Sequence, residues 1–294
     1  MSIWYARQTT AYFTATILKS LNVLLTQLDL CSGIGAGFPV AGIVTEGFEL
    51  VGLCDLIADR EHEYIRDILL QRFPYVSIFH DVRERSHWQL WRGQLPSLIS
   101  ASPPCPPFSL EGKRLGADDP RDCIPAVTDA IAILQPKFAV IENVPGLLTC
   151  PIRSGEPPGS YFRNLLRTFD SIGYDAEWVC VSSAYFETPW IGARLLLVAT
   201  SRRVVQQFNQ EPTPWYEQVR GQVQAVGIAG EKSGSQSRIF RGGFRIAEEL
   251  DRPIGVKSGD PVVRQRRSAL GNCLDPRLAA IALHRVLYLD SLIK

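Results

Sequence analysis

Four prolines surround one cysteine in Ala101-Ser102-Pro103-Pro104-Cys105-Pro106-Pro107-Phe108-Ser109. Proline fixes its own φ and pushes the preceding residue toward extended backbone, so the thiol is carried on a stiff turn. A thiol held in this way is a nucleophile once ionised, while an ordinary buried cysteine is the plainer reading. A second constellation, Glu142-Asn143-Val144-Pro145-Gly146, follows an apolar run and ends in a turn. Its carboxylate is either a proton-transfer partner for the thiol or a helix cap or salt-bridge group. In Asp29-Leu30-Cys31-Ser32-Gly33-Ile34-Gly35-Ala36-Gly37-Phe38, three glycines follow another apolar run. A strand feeding a glycine-rich turn and a helix brings backbone amides close to a nucleotide-like ligand, although a plain tight turn satisfies the same spacing. Asp55, after the apolar run 48–54, is placed either to accept ribose hydroxyls or as a solvated strand end.

The elements that position these groups alternate along the chain. Short apolar runs at 23–28, 48–54, 76–79, 95–99, 138–141, 176–182 and 195–199 predict seven strands. Helical spacing falls at 61–73, 124–134, 161–169 and 277–289, and residues 88–91 form a short apolar element. Interspersed strands and helices predict an α/β domain over residues 23–200 with an open sheet, whose ligands lie beyond the strands' C-terminal ends. Cys105 and Glu142 then share one sheet edge. The polar stretch 110–119, with Lys113 and Arg114, reads as a mobile loop able to close over a substrate.

Around this domain the composition changes. Residues 1–22 carry Trp4, Tyr5, Tyr12 and Phe13 without clean periodicity, with a short helix expected at 15–21. Residues 201–262 are polar and turn-rich, and Arg238, Arg241 and Arg245 are either phosphate contacts or a solvated face. The segment 263–294 ends in a helix whose Leu278, Ile281, Ala282, Val286 and Leu289 predict a return to the main sheet.

A chain of 294 residues buries one sizeable core and leaves length for a smaller unit. Its net charge of +1 supplies no global attraction to nucleic acid, so any such contact must come from locally placed arginines. The seven cysteines are dispersed without a C-x-x-C pair, which predicts independent thiols in a reducing compartment and no metal site. The first residues lack the basic and apolar regions of a secretory signal, and no membrane span is expected.

Taken in order, these motifs resemble the DNA (cytosine-5-)-methyltransferase family. The resemblance rests on the 29–37 segment, the Pro103 to Ser109 turn, Glu142-Asn143-Val144, the 189–194 segment and Gly271-Asn272. It covers roughly residues 23–200 and 264–290. It implies a Rossmann-like, S-adenosylmethionine-dependent α/β fold with a small target-recognition domain in 201–262. It also implies methyl transfer to carbon 5 of a flipped cytosine in double-stranded DNA, with Cys105 as nucleophile, Glu142 beside ring nitrogen 3 and Arg194 at the base carbonyl. Asp29, Gly33, Ile34, Gly35, Gly37 and Phe38 then border the cofactor. Asp55 takes the ribose, Asp81 and Val82 meet the adenine, and Asn272 helps close the pocket. Ser109, Lys113, Arg114, Arg238, Arg241 and Arg245 are the expected DNA contacts. A monomer, in the cytoplasm or on the nucleoid of a prokaryotic or viral host, with a cognate restriction endonuclease as partner, completes the expectation.

The match has gaps. Pro106 stands where the family usually has glutamine, Asp55 where it more often has glutamate, and Trp190 and Gly192 replace the glutamine and first arginine of its glutamine-x-arginine-x-arginine motif. Phe244 to Leu250 is a weak counterpart of the segment that usually supports the recognition domain. A tRNA cytosine methyltransferase, an enzyme delivering another one-carbon group to DNA cytosine, and a catalytically impaired DNA-binding homologue remain alternatives.

Overall fold

A computed structural model of the chain describes residues 24–57, 62–186, 192–231 and 273–294. The central strands β1 (Leu25–Leu30), β4 (Leu98–Ala101) and β5 (Phe138–Asn143) are buried along their whole length, as near-continuous apolar runs in a parallel sheet should be. With β2 (Phe48–Cys54) and β3 (Ser77–Phe79) they form a parallel set. β7 (Ala193–Ser201) runs antiparallel between β5 and β6 (Tyr174–Ser182), completing the order β3-β2-β1-β4-β5-β7-β6. The polar residues inside this sheet satisfy one another. Gln27 Nε2 donates to Ser100 Oγ at 2.9 Å, and Ser100 Oγ donates to Asp29 Oδ1 at 2.6 Å.

After β1 the chain moves outward to β2 and β3, then crosses back to β4 on the other side of β1. That reversal opens a crevice between the ends of β1 and β4. Leu30 and Ala101 are register partners, and Ser102 N donates to Leu30 O at 3.2 Å. The glycine turn and the cysteine turn therefore start side by side.

Helices cover both faces: α1 (Phe38–Thr45), α2 (Glu63–Arg72), α3 (Ser86–Gln89), α4 (Ile124–Leu134), α5 (Ser160–Ser171), α6 (Arg202–Val205), α7 (Trp215–Glu231) and α8 (Pro276–Asp290). Alternate strand residues feed two cores. Leu28, Ile99 and Ile141 pack with α4 and α5, whereas Leu98, Phe138 and Val140 pack with α1 and α8. Asp275 caps α8 by accepting Arg277 N at 2.9 Å, with Pro276 at the first turn. Leu278, Ile281, Ala282, Val286 and Leu289 are all buried, so the C-terminal helix returns to the sheet as its spacing predicts.

Two expectations need correction. The fourth strand begins at Leu98, and Leu95 is 63% exposed, because Pro96 has no N–H to give to a ladder. The stretch after residue 200, expected to be turn-rich, carries the helix α7, which buries Trp215 and packs on α8 and β6. Arg285 of α8, only 2% exposed, ties this corner together. Its Nε and Nη2 donate to Glu177 of β6 at 2.7 and 2.9 Å, and its Nη1 donates to Thr213 O at 2.8 Å. No helix among the described residues is long and apolar enough to cross a membrane. The helix expected at 15–21 lies outside the described residues.

Candidate active site

Beyond β4, Phe108 N and Ser109 N both donate to Cys105 O at 2.9 Å, closing the proline turn around the cysteine. Phe108 anchors the turn from below, buried edge-on against Tyr161 at 4.7 Å between ring centroids. Cys105 itself is exposed.

Glu142 sits one residue past the Ala101–Ile141 register pair, so it and Ser102 occupy matching places at the ends of adjacent strands. Asn143 Nδ2 donates to Pro103 O at 3.1 Å and locks the two ends together. From β7, Arg194 Nε lies 3.0 Å from Glu142 Oε1. The structure thus brings together Cys105, Glu142 and Arg194, which are far apart in the chain.

Their electrostatics are mutual. Burial pushes the Glu142 carboxyl from an ordinary 4.5 up to about 7, against the opposing pull of Arg194 and Ser102. Burial, and then the Glu142 charge, push the Cys105 thiol above its ordinary value; Arg194 and Arg121 pull it down. Neither Ser102 nor Arg121 is singled out by sequence reasoning. The matching places of Ser102 and Glu142 after neighbouring strands are the signal that would have found the serine.

The glycine turn has its own scaffold. Gly33 and Gly35 adopt left-handed φ values of 54° and 73°. A Cβ on Gly35 would lie 2.4 Å from Phe73 Cε2, whereas one on Gly33 would meet nothing within 4 Å. Gly35 therefore serves packing, and Gly33 fronts open space. Asp55 Oδ2 accepts the Gly33 amide at 2.6 Å, so this carboxylate also pins β2 to the turn. Asp81 Oδ1 accepts Arg83 N at 2.9 Å, and the buried Val82 presents its carbonyl to Trp88 Nε1 at 3.1 Å.

Several candidate residues have a different place from the one expected. Asp29 is buried beneath the turn, where burial pushes its carboxyl to about 7; Ser100 Oγ donates to that carboxyl and Ser32 Oγ to the Asp29 backbone carbonyl. Ile34 and Phe38 are buried in core clusters. Gly37 packs close to Leu274. Arg114 is expected on a DNA backbone, yet its Nη2 donates to Gly146 O at 3.1 Å and Thr149 Oγ1 at 2.8 Å. This guanidinium fastens the loop after Cys105 to the 3₁₀ turn Pro145–Thr149 that follows β5. Lys113 is exposed, and Ser109 Oγ accepts Glu111 N at 3.3 Å. Trp190, Arg238, Arg241, Arg245, Asn272 and the 244–250 segment lie outside the described residues.

A glycine turn at the switch point of this sheet, with an acid closing β2, defines a Rossmann-like α/β fold of the kind that takes a nucleotide-bearing ligand. Residues 25–238 match the family described as C-5 cytosine-specific DNA methylase, and the chain belongs to that family. The Type II methyltransferase M.NgoMIV of Neisseria gonorrhoeae is 31% identical over 197 residues, covering 66% of this chain and 57% of that protein. The Type II methyltransferase M.NaeI of Lentzea aerocolonigenes is 36% identical over 118 residues, covering 40% of this chain and 27% of that one. The chain thus spans less than two thirds of these relatives. Among solved structures, S. pombe Dnmt2 methyltransferase superposes with a TM-score of 0.54 at 15% identity, over 91% of this chain and 99% of its own. That likeness speaks for the fold alone.

Proposed function

We propose that the protein methylates carbon 5 of cytosine in double-stranded DNA through a covalent cysteine adduct. The observation that carries this reading is the Glu142 carboxyl, held 3.0 Å from Arg194 Nε at the strand end beside the exposed Cys105. S-adenosylmethionine supplies the methyl group. Open space before Gly33 and the left-handed backbone of the turn fit such a ligand, and Gly33, Asp55, Asp81, Val82 and Asn272 are the residues assigned to hold it, with Gly35 and Gly37 shaping the turn.

A stacked cytosine cannot present carbon 6 to a thiol, so the base is flipped out at a cost of a few kcal/mol. The Cys105 thiolate then forms a bond to carbon 6, and the displaced ring electron pair is met by a proton from Glu142 at nitrogen 3. A carboxyl pushed to about 7 keeps that proton available near neutrality, where an ordinary carboxyl has lost it. Arg194 orients the carboxyl and meets the base carbonyl. Once carbon 5 is methylated, a base takes its proton, and the carbon–sulfur pair returns to Cys105 as the double bond re-forms. Lys113 and Ser109 are assigned to the DNA backbone, and Arg114 is reassigned from it to holding the loop. Residues 201–262, with Arg238, Arg241 and Arg245, are assigned to target recognition. The Type II naming of the relatives is the ground for assigning a cognate restriction endonuclease as partner.

The test is incubation of purified protein with DNA of mixed sequence and methyl-labelled S-adenosylmethionine, followed by nucleoside analysis. Label in 5-methylcytosine that disappears in Cys105→Ser supports the reading. No labelled cytosine in any DNA, or label confined to a parallel tRNA sample, overturns it.

A further inference from the structure

Phe108 joins the two halves of the candidate site. Its N–H donates to Cys105 O at 2.9 Å, and its carbonyl oxygen lies so close to Gly146 that a Cβ there would stand 2.4 Å away. The proline turn thus rests on the turn that leaves the strand of Glu142. Beneath it, the fully buried Phe108 ring meets Tyr161, with ring centroids 4.7 Å apart and planes inclined at 62°. Tyr161 is held in its turn. Its N–H, near the start of α5, donates to Cys150 O at 3.2 Å, and its hydroxyl donates to Asp122 Oδ2 at 2.5 Å. The other oxygen of Asp122 accepts Ile124 N at 3.0 Å, where α4 begins. Burial, and then the Asp122 charge, push the phenol far above its ordinary value, so it remains the donor in this pair. A charge-assisted bond at the hydroxyl and packing on the ring fix both side-chain torsions of Tyr161.

We propose that Tyr161, tethered by Asp122, is a positioning residue for Cys105: it holds the Phe108 ring, and through it the proline turn, at the height where the thiol meets the flipped base. The proposal rests on the nucleophile role given to Cys105 above. The line of contacts is short. Asp122 holds the Tyr161 hydroxyl, Tyr161 holds the Phe108 ring, and the Phe108 N–H holds the Cys105 carbonyl. Tyr161 therefore acts on the thiol from the core side, where no substrate reaches it.

The consequence is a loss of rate without a loss of binding. A nucleophile displaced by about 1 Å from its line of attack slows the chemical step by as much as about a hundredfold. The groups assigned to DNA and to S-adenosylmethionine are other residues, so KM for DNA is kept while kcat falls. The turn itself loosens at the two amides that close it, Phe108 N and Ser109 N.

The experiment compares wild type, Tyr161→Phe, Tyr161→Leu and Phe169→Leu as full chains. Phe169 is buried in the same core and lies further along α5, but its ring partner is Tyr174, so its truncation controls for lost packing. Hydrogen exchange at the Phe108 and Ser109 amides is followed by nitrogen-15 NMR without DNA or cofactor, and kcat and KM for DNA are measured in parallel. The expected result for Tyr161→Leu is exchange about tenfold faster at both amides and a kcat about tenfold lower, with KM unchanged. Tyr161→Phe, which keeps the ring and loses the tether, should show about threefold changes in the same directions, and decides the matter if the leucine variant does not fold. Phe169→Leu should match wild type in both readouts per folded molecule. Unchanged exchange in the folded Tyr161 variants overturns the proposal, as does equal acceleration in Phe169→Leu, a kcat that stays at the wild-type level, or a loss that falls on KM. A wild-type protein that methylates no DNA refutes the functional reading instead, and the exchange rates still decide whether Tyr161 fixes the turn.

Discussion

Replacing Glu142 with glutamine should make the protein gain stability relative to the wild type as the pH rises, while removing its activity. The carboxyl is 7% exposed, and burial pushes it from an ordinary 4.5 to about 7. A carboxyl raised on folding favours the folded state fully below 4.5, and that advantage is lost progressively as the pH rises through 7. The span corresponds to about 3 kcal/mol, of which about 2.5 kcal/mol falls between pH 5 and pH 8. Glutamine keeps the shape but has nothing to ionise. At pH 5 the wild-type carboxyl is already neutral in the folded protein, so Arg194 lacks an ionised partner in both forms. The constant offsets of the substitution then cancel in the comparison between pH values. Urea unfolding of wild type and Glu142→Gln at pH 5 and pH 8 reads the difference directly. The variant should gain about 2.5 kcal/mol on the wild type between the two. A stability difference that is equal at both pH values, or that turns against the variant at pH 8, would refute the assignment of a strained, buried carboxyl at this site.

Two other outcomes test the scaffold around the site. Arg285→Ala strands Glu177 and the Thr213 carbonyl, and should lower urea stability by about 3 kcal/mol while methylation per folded molecule is retained at low temperature. Gly35→Ala meets both a left-handed backbone and the Phe73 ring and should cost about 3 kcal/mol; Gly33→Ala meets only the backbone, costs about 1 kcal/mol, and weakens S-adenosylmethionine binding by calorimetry. Equal losses of stability at the two glycines would undo the distinction between a packing glycine and a ligand-facing one.

Much of the fold was legible because a parallel sheet buried on both faces writes its strands as apolar runs. The runs 48–54 and 124–134 coincide with β2 and α4 to the residue. Elsewhere the end of a run misled where backbone chemistry overrode side-chain character, as at Pro96. α7 went unread because its buried stripe, Trp215 with Val219 and Val223, is separated by Glu217, Gln218 and Gln222. At the site, motif order brought out Cys105, Glu142 and Arg194, since each closes or opens a strand at the same edge. What order could not convey was direction. Ile34 and Phe38 belong to the glycine motif but turn into the core, Asp29 lies beneath it, and Arg114 bends back to the Pro145–Thr149 turn. Ser102 was hidden for the complementary reason: it stands level with Glu142 through sheet register and not through any sequence spacing.

The central claim is that Cys105 forms the covalent bond to cytosine. It is tested most directly with duplex DNA carrying 5-fluorocytosine at the target site, because a fluorine on carbon 5 cannot leave as a proton does and elimination of the thiol is blocked. With S-adenosylmethionine present, the account predicts a protein–DNA adduct that survives denaturation, with the modified nucleotide mapped by peptide mass spectrometry to Cys105 and lost in Cys105→Ser. An adduct at another cysteine, or methylation of ordinary cytosine with no adduct on the fluorinated duplex, would contradict it.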